Sequence, residues 1–302
     1  MTSSLVVPVW AWIVLGCVLI AALSIDLIAH RGDRQDSRRR AVVWSVGWVV
    51  LALAFNGLVA IWFGGEAGEQ FLGAYLLEKS LSVDNLFLFV VVFGALGIPV
   101  AEQRRVLTWG IVGALVTRAL FIVAGLAAIQ RWHELTYVFG AILVITAVKL
   151  LRPSAAGSRP KLLAWLEGHL PWTSALQGHR FIARVNGRWV GTPLLVALIA
   201  IELTDIMFAL DSIPAAFAIS SDTFILYSAN IFAVLGLRAM FIVLAGALAR
   251  LHYLRFGLAA VLVFAGGKML LAQWFHVAPL ASVAVIAACI GASVIASQSG
   301  RR

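Results

Sequence analysis

Five carboxylates lie inside apolar stretches of this 302-residue chain, and they fall into two clusters. Glu78 and Asp84, with Asn85 beside them, sit in "YLLEKSLSVDNLFLFVVVF". Glu202, Asp205 and Asp211 sit in "PLLVALIAIELTDIMFALDSIPAAFAI". Carboxylates, together with the amide of Asn85 and the hydroxyls of Ser82, Thr204 and Ser212, are hard oxygen ligands of the kind that suits Mg, Ca or Mn. Zinc or copper would call for Cys or His, and neither occurs in the two motifs. An anion fits poorly, because the acids repel it. The candidate metal ligands are therefore Glu78, Asp84, Asn85, Glu202, Asp205 and Asp211.

The spacing within each cluster makes a structural demand. Six residues separate Glu78 from Asp84 and Asp205 from Asp211. Along an α-helix that is a rotation of about 240° and a rise of about 9 Å. For both acids of a pair to reach one site, the helix is expected to break or bend between them. Pro214, which lacks an N–H and clashes with the carbonyl four residues back, supplies a cause in the second cluster. In the first, Ser80, Ser82 and Asn85 could satisfy an opened backbone. Glu202 and Asp205, three residues apart, share a helix face.

The elements that must carry these acids are membrane helices. The chain is 62% apolar and 12% charged, against roughly 45–50% and 25% for a soluble domain. That excludes a water-soluble enzyme and a disordered chain. No HExxH, GxSxG or phosphate-binding glycine loop is present, so neither enzymatic chemistry nor a prosthetic group is expected. The two cysteines, Cys17 and Cys289, form no metal or disulfide spacing. About 20 apolar residues cross a bilayer. On that basis nine spans are expected, near 5–28, 41–63, 70–95, 106–129, 135–151, 192–218, 223–249, 256–274 and 277–297. Alternate connections (29–40, 96–105, 152–191, 250–255 and the C-terminus) hold 17 Lys and Arg, and the other set holds one, Arg131. By the positive-inside rule the N-terminus is outside and the C-terminus cytoplasmic. The same bias accounts for the net charge of +9 without a nucleic-acid partner. The first span is expected to stay uncleaved, since its positive charges follow it. The long 152–191 connection contains an amphipathic "KLLAWLEGHL" that could lie on the membrane surface.

Five bases remain inside spans: Lys79, Arg118, Lys149, Arg238 and Lys268. With the five acids they sum to zero. A charge at a helix centre costs on the order of 2.5–3.5 kcal/mol, so these groups must face each other, water or a ligand, and the bases are the expected charge partners. Asp26, near the end of the first span, is expected to reach the interface. Residues 75–151 and 199–271 also resemble each other. "EKSLSVDNLF", "TRALFIVAG" and "FGAILVITAVKLL" match "DIMFALDSIP", "LRAMFIVLAG" and "FGLAAVLVFAGGKMLL". Glu78 then meets Asp205, Asp84 meets Asp211, Arg118 meets Arg238 and Lys149 meets Lys268. Each unit holds three spans, so the second runs through the membrane the opposite way, as in many secondary transporters. The expected fold is an all-α polytopic membrane protein of about nine transmembrane helices with two inverted three-helix repeats. Its parts are a two-helix segment (1–69), the first repeat (70–151), a cytoplasmic loop (152–191), the second repeat (192–274) and a final helix with its tail (275–302).

At the two acidic motifs the chain resembles the TerC family of integral membrane proteins, over roughly residues 10–295. Asp211-Ser212 stands in the second unit where the first has Asp84-Asn85. The family takes its name from tellurium resistance and includes manganese exporters of bacterial inner membranes. The resemblance implies a multi-pass inner-membrane protein that exports Mn(II) through the matching carboxylates Glu78, Asp84, Glu202, Asp205 and Asp211. Two alternatives stand beside it. One is a non-transporting member of a tellurite or metal stress-response complex, with protein partners and structural ion pairs. The other is an amino-acid exporter, which would need a wide cavity at Arg118 or Arg238.

Overall fold

A computed structural model describes residues 7–29, 38–132, 134–151, 161–185, 187–244, 253–271, 274 and 277–299. The side chains of Asp84 and Asp211 lie outside the described residues, although their backbone is helical.

The apolar runs form helices: α1 (Val9–Ala29), α2 (Arg38–Phe63), α3 (Gly65–Ala95), α4 (Val100–Arg131) and α5 (Leu135–Leu151). After a short α6 (Lys161–His169) come α7 (Pro193–Phe217), α8 (Thr223–Val234), α9 (Leu237–Leu244), α10 (Leu254–Leu270) and α11 (Pro279–Ser299). Six stretches among the described residues are long and apolar enough to cross a membrane: Val9–Asp26, Arg39–Phe63, Val100–Arg131, Pro193–Phe217, Thr223–Val243 and Pro279–Ser297. The other three expected spans fall on α3, α5 and α10. Helix α3 is interrupted chemically by Glu66, Glu69, Glu78, Lys79 and Asp84, and α5 and α10 have only 17 residues each.

The helices pair across the two similar segments. Helix α4 packs on α7, α3 on α8, and α5 on α10. The last pair is close because both sides carry glycine. A Cβ added at Gly266 would lie 2.7 Å from the Gly140 carbonyl oxygen, an approach that only small residues permit. An aromatic cluster of Phe55, Phe71, Phe224 and Phe232 ties α2, α3 and α8 together, with ring centroids 4.7 Å apart for Phe55 and Phe232.

The break expected between the paired acids does not occur. Helix α3 is unbroken, with no proline from Gly65 to Ala95 and with Ser80 donating to its own helix at the Leu76 carbonyl, 2.5 Å away. Helix α7 continues through Pro214 to Phe217. The interruption lies instead between α8 and α9, at Gly236, whose φ of +84° suits glycine. There the backbone passes against Trp48: a Cβ at Gly236 would lie 2.6 Å from the indole Cδ1.

Sequence reasoning also missed a two-stranded antiparallel hairpin, β1 (Ile182–Val185) and β2 (Arg188–Gly191). Its signal was the Asn-Gly dipeptide between them, the commonest short hairpin turn. Gly187 takes a φ of +79°. The hairpin segment docks on the start of α4, where His179 Nδ1 lies 2.5 Å from Glu102 Oε1 and Arg105 stacks over Phe181. At another place in the fold, Glu66, Ile129, Thr136, Ser221 and Ala278 line a single cavity of about 580 Å³. These five residues therefore gather at one end of the bundle.

A buried carboxylate–guanidinium junction

Arg118, in the middle of α4, is 1% exposed. Its guanidinium reaches both acidic helices. Nη1 donates to Glu78 Oε2 on α3. On the other side Nη2 donates to Asp205 Oδ1 at 3.0 Å and Nε donates to Asp205 Oδ2 at 3.3 Å. This is the two-pronged geometry for which guanidinium is suited and ammonium is not. Asn85, one helical stretch below Glu78, donates from Nδ2 to Asp205 Oδ1 at 3.3 Å. Glu78, Asn85 and Asp205 are buried like the arginine. A carboxylate from α3 and one from α7 thus meet on one cation from α4.

Among the described residues the junction is not electrically closed. Two carboxylates face one guanidinium there, formally −2 and +1. Buried charge of this kind is costly unless compensated. Oxygen atoms are also left over. Asn85 Oδ1, Ser82 Oγ, Ser212 Oγ and Glu202 Oε1 are buried with no hydrogen-bond partner among the described residues. Glu202 lies one turn before Asp205, and its carboxylate rests on α4 at Gly113, where a Cβ would collide with it. Gly110 is beside it, so two glycines make the recess that the acid fills. Thr204 and Ser80, by contrast, spend their hydroxyls on the carbonyls of Ala200 and Leu76 in their own helices.

Of the six candidate ligands, the structure brings Glu78, Asn85 and Asp205 together around Arg118 and places Glu202 a turn away. Among the described residues no group of three or more His, Cys, Asp or Glu is arranged to hold a metal ion. The physical reason is visible in the junction, where the Arg118 guanidinium stands between Glu78 and Asp205.

The remaining bases go elsewhere. Arg238 pairs with Asp26 on α1, with Nη2 2.9 Å from Oδ2. It also donates to the Asp26 carbonyl and, at 3.2 Å, to Thr108 Oγ1. Asp26 is thus buried and paired within the bundle. No spacing in the sequence signals a contact across 212 residues. Lys79 donates to the carbonyls of Ala233 and Leu235, at 3.1 and 3.4 Å, where α8 ends. It caps the carbonyls exposed by the Gly236 break, and its charge complements a helix C-terminus. Lys268 donates to Ser282 Oγ at 3.1 Å, and Lys149 is exposed.

Residues 63–302 match the model of a family described as "Integral membrane protein TerC family". An uncharacterized membrane protein of Myxococcus xanthus, STKORF319, is 49% identical over 283 residues, covering 92% of this chain and 89% of that protein. A protein of Escherichia coli K12, described as a candidate membrane-bound redox modulator and named Alx, is 41% identical over 285 residues, 89% of this chain and 88% of its own length. An uncharacterized membrane protein of Rickettsia felis is 34% identical over 291 residues, 95% of this chain and 97% of its own. No solved structure matches the chain.

Proposed function

The chain belongs to the TerC family of integral membrane proteins, and from that premise we propose that it exports a divalent metal cation, Mn(II), across a bacterial inner membrane. The observation that carries this reading is the charge of the junction. Glu78 and Asp205 share one guanidinium, both are nearly inaccessible, and Asn85 Oδ1 beside them lacks a hydrogen-bond partner among the described residues. A hard divalent cation is the ligand that such a set of oxygens and an excess negative charge would attract. Asp84 and Asp211 belong to the same proposed set.

The transport architecture we propose has nine spans and two inverted repeats. The helix pairs support it: exchanging the two segments turns the α4–α7 contact into the α8–α3 contact and leaves α5–α10 unchanged. The placement of the connections supports it too. One cavity brings together Glu66 and Ser221 from two arginine-poor connections, whereas Glu102 meets His179 from two arginine-rich ones. The N-terminus then faces outward and the C-terminus the cytoplasm. In this reading the protein is a carrier, not an enzyme, and it needs no prosthetic group.

The buried pairs of Arg118 and Arg238 are also what a non-transporting stress-response component with structural ion pairs would show, whereas the amino-acid reading is not favoured by the site. An amino-acid substrate would need an arginine for its carboxylate, and Arg118 is already bound on both sides while Arg238 holds Asp26. Thiol redox chemistry finds no pair to act through: Cys17 and Cys289 are free, on α1 and α11.

The test is cellular manganese. Bacteria expressing the protein under Mn(II) load should hold less Mn than empty-vector cells, and Asp205→Asn or Asp84→Asn should abolish the difference. Equal Mn in all strains, with the protein verified in the membrane, overturns the reading.

A further inference from the structure

The position of Arg118 has a consequence for how such a site would work. Its guanidinium does not flank the Glu78–Asp205 pair; it bridges the two, bound to each. Arginine stays protonated in proteins, so this cation cannot leave by losing a proton. It can only move. We propose that Arg118 is a tethered counter-cation, which the incoming divalent ion must displace from Asp205 and which then takes Glu202. This rests on the reading of the protein as a cation exporter and adds the device that keeps its site reversible.

Three observations support the hand-over. Asp205 and Glu202 lie one turn apart on the same face of α7, and Arg118 meets Asp205 while the Glu202 carboxylate rests on the same helix, α4, at Gly113. Glu202 Oε1 is buried without a hydrogen-bond partner among the described residues, so an acceptor is already in place in the α4–α7 contact. With all three acids ionised, the charges balance as well. The divalent ion neutralises Glu78 and Asp205, −2 and +2, and the freed guanidinium neutralises Glu202. When the ion departs, the arginine returns to Asp205. Without such a competitor a multi-carboxylate site would hold its cargo and release it slowly, a poor property in a carrier.

The experiment is Mn(II) binding to the full-length protein in lipid nanodiscs, read by the loss of free Mn(II) signal in electron paramagnetic resonance, beside cellular Mn efflux. Arg118→Gln should bind Mn(II) about tenfold more tightly, the scale of a lost charge-assisted hydrogen bond, and should not export it. Glu202→Gln should bind more weakly than wild type, because the displaced guanidinium has no acceptor. The double variant should bind like Arg118→Gln alone. Arg118→Lys keeps the charge but loses the two-pronged grip, so it should tighten binding by a smaller factor and guards against a folding defect in the glutamine variant. Unchanged or weaker binding in both Arg118 variants, with wild type binding Mn(II), overturns this inference and leaves the exporter reading standing. So does an equal loss on Glu202→Gln with and without Arg118, which would make Glu202 a direct ligand. Absence of Mn(II) binding in wild type and all variants overturns both.

Discussion

Arg118 on α4 grips Asp205 on α7 with two nitrogens, Nη2 at 3.0 Å from Oδ1 and Nε at 3.3 Å from Oδ2. Each of these residues comes from a different one of the two similar segments. The contact therefore holds the segments together and also sets the charge at their interface.

Asp205→Asn keeps the size of the side chain and removes its charge. Arg118 then has only Glu78, and one side of the fork faces an amide. Disrupting a buried ion pair costs about 3–5 kcal/mol, so the variant should melt several degrees below wild type in detergent. It should also lose Mn efflux. Glu78→Gln should behave alike, since its single contact is equally buried. Thermal unfolding monitored by tryptophan fluorescence, with efflux measured on the same preparations, checks the pair.

Gly113 offers a way to disturb Glu202 without touching any charge. The three atoms that a methyl group at Gly113 would meet first all belong to the Glu202 carboxylate. The carboxylate sits at the end of a flexible side chain and can swing aside, so the helix pair should tolerate the change. Gly113→Ala should keep its melting temperature within about a degree or two of wild type, as substitutions costing under about 0.5 kcal/mol do, while Mn efflux falls severalfold. Efflux at the wild-type rate would show that the placement of Glu202 does not matter.

The reach of the sequence can be judged from particular residues. The helices were legible because bilayer-length apolar runs are bounded by arginine-rich connections, and the acids Glu78 and Asp205 stood out because charge is rare there. Their link to Arg118 was legible as charge balance but not as contact, since no spacing rule joins residues 40 and 87 positions apart. The interrupted helix was misplaced. Proline at 214 is a visible breaker, yet α7 absorbs it near its end, only three residues before Phe217. The true break at Gly236 is one glycine among 26, and only its φ and its contact with Trp48 distinguish it from the packing glycines. The repeat led Arg238 to be matched with Arg118. The break just before Arg238 has no counterpart in the continuous α4, and the side chain goes to Asp26 instead.

Gly236→Ala should be costly for two separable reasons. An L-residue in the left-handed region is strained by about 1–2 kcal/mol, and the new methyl group strikes Trp48. Adding Trp48→Ala should remove the collision and leave the strain, so the double variant should regain only part of the lost stability relative to Trp48→Ala alone. Lys79→Met should lower stability by about 1–3 kcal/mol, because the carbonyls of Ala233 and Leu235 lose their donor within the bundle. Its efflux rate per folded molecule should be unchanged, since Lys79 meets backbone rather than the junction. Urea or thermal titrations with efflux normalised to folded protein measure both.

The arrangement of connections makes a sidedness prediction that needs no metal. His179, whose side chain is 75% exposed, meets Glu102 at the arginine-rich end, and Ser221 is exposed at the cavity gathered from the arginine-poor connections. In a background with Cys17 and Cys289 replaced by serine, His179→Cys should react with a membrane-impermeant maleimide only in inside-out vesicles. Ser221→Cys should react only in intact spheroplasts. If both label from one side, the two segments do not cross the membrane an odd number of times between those positions, and the nine-span inverted arrangement fails. If they label from opposite sides but reversed, the arginine bias misassigns the cytoplasmic face and the direction of proposed transport reverses with it.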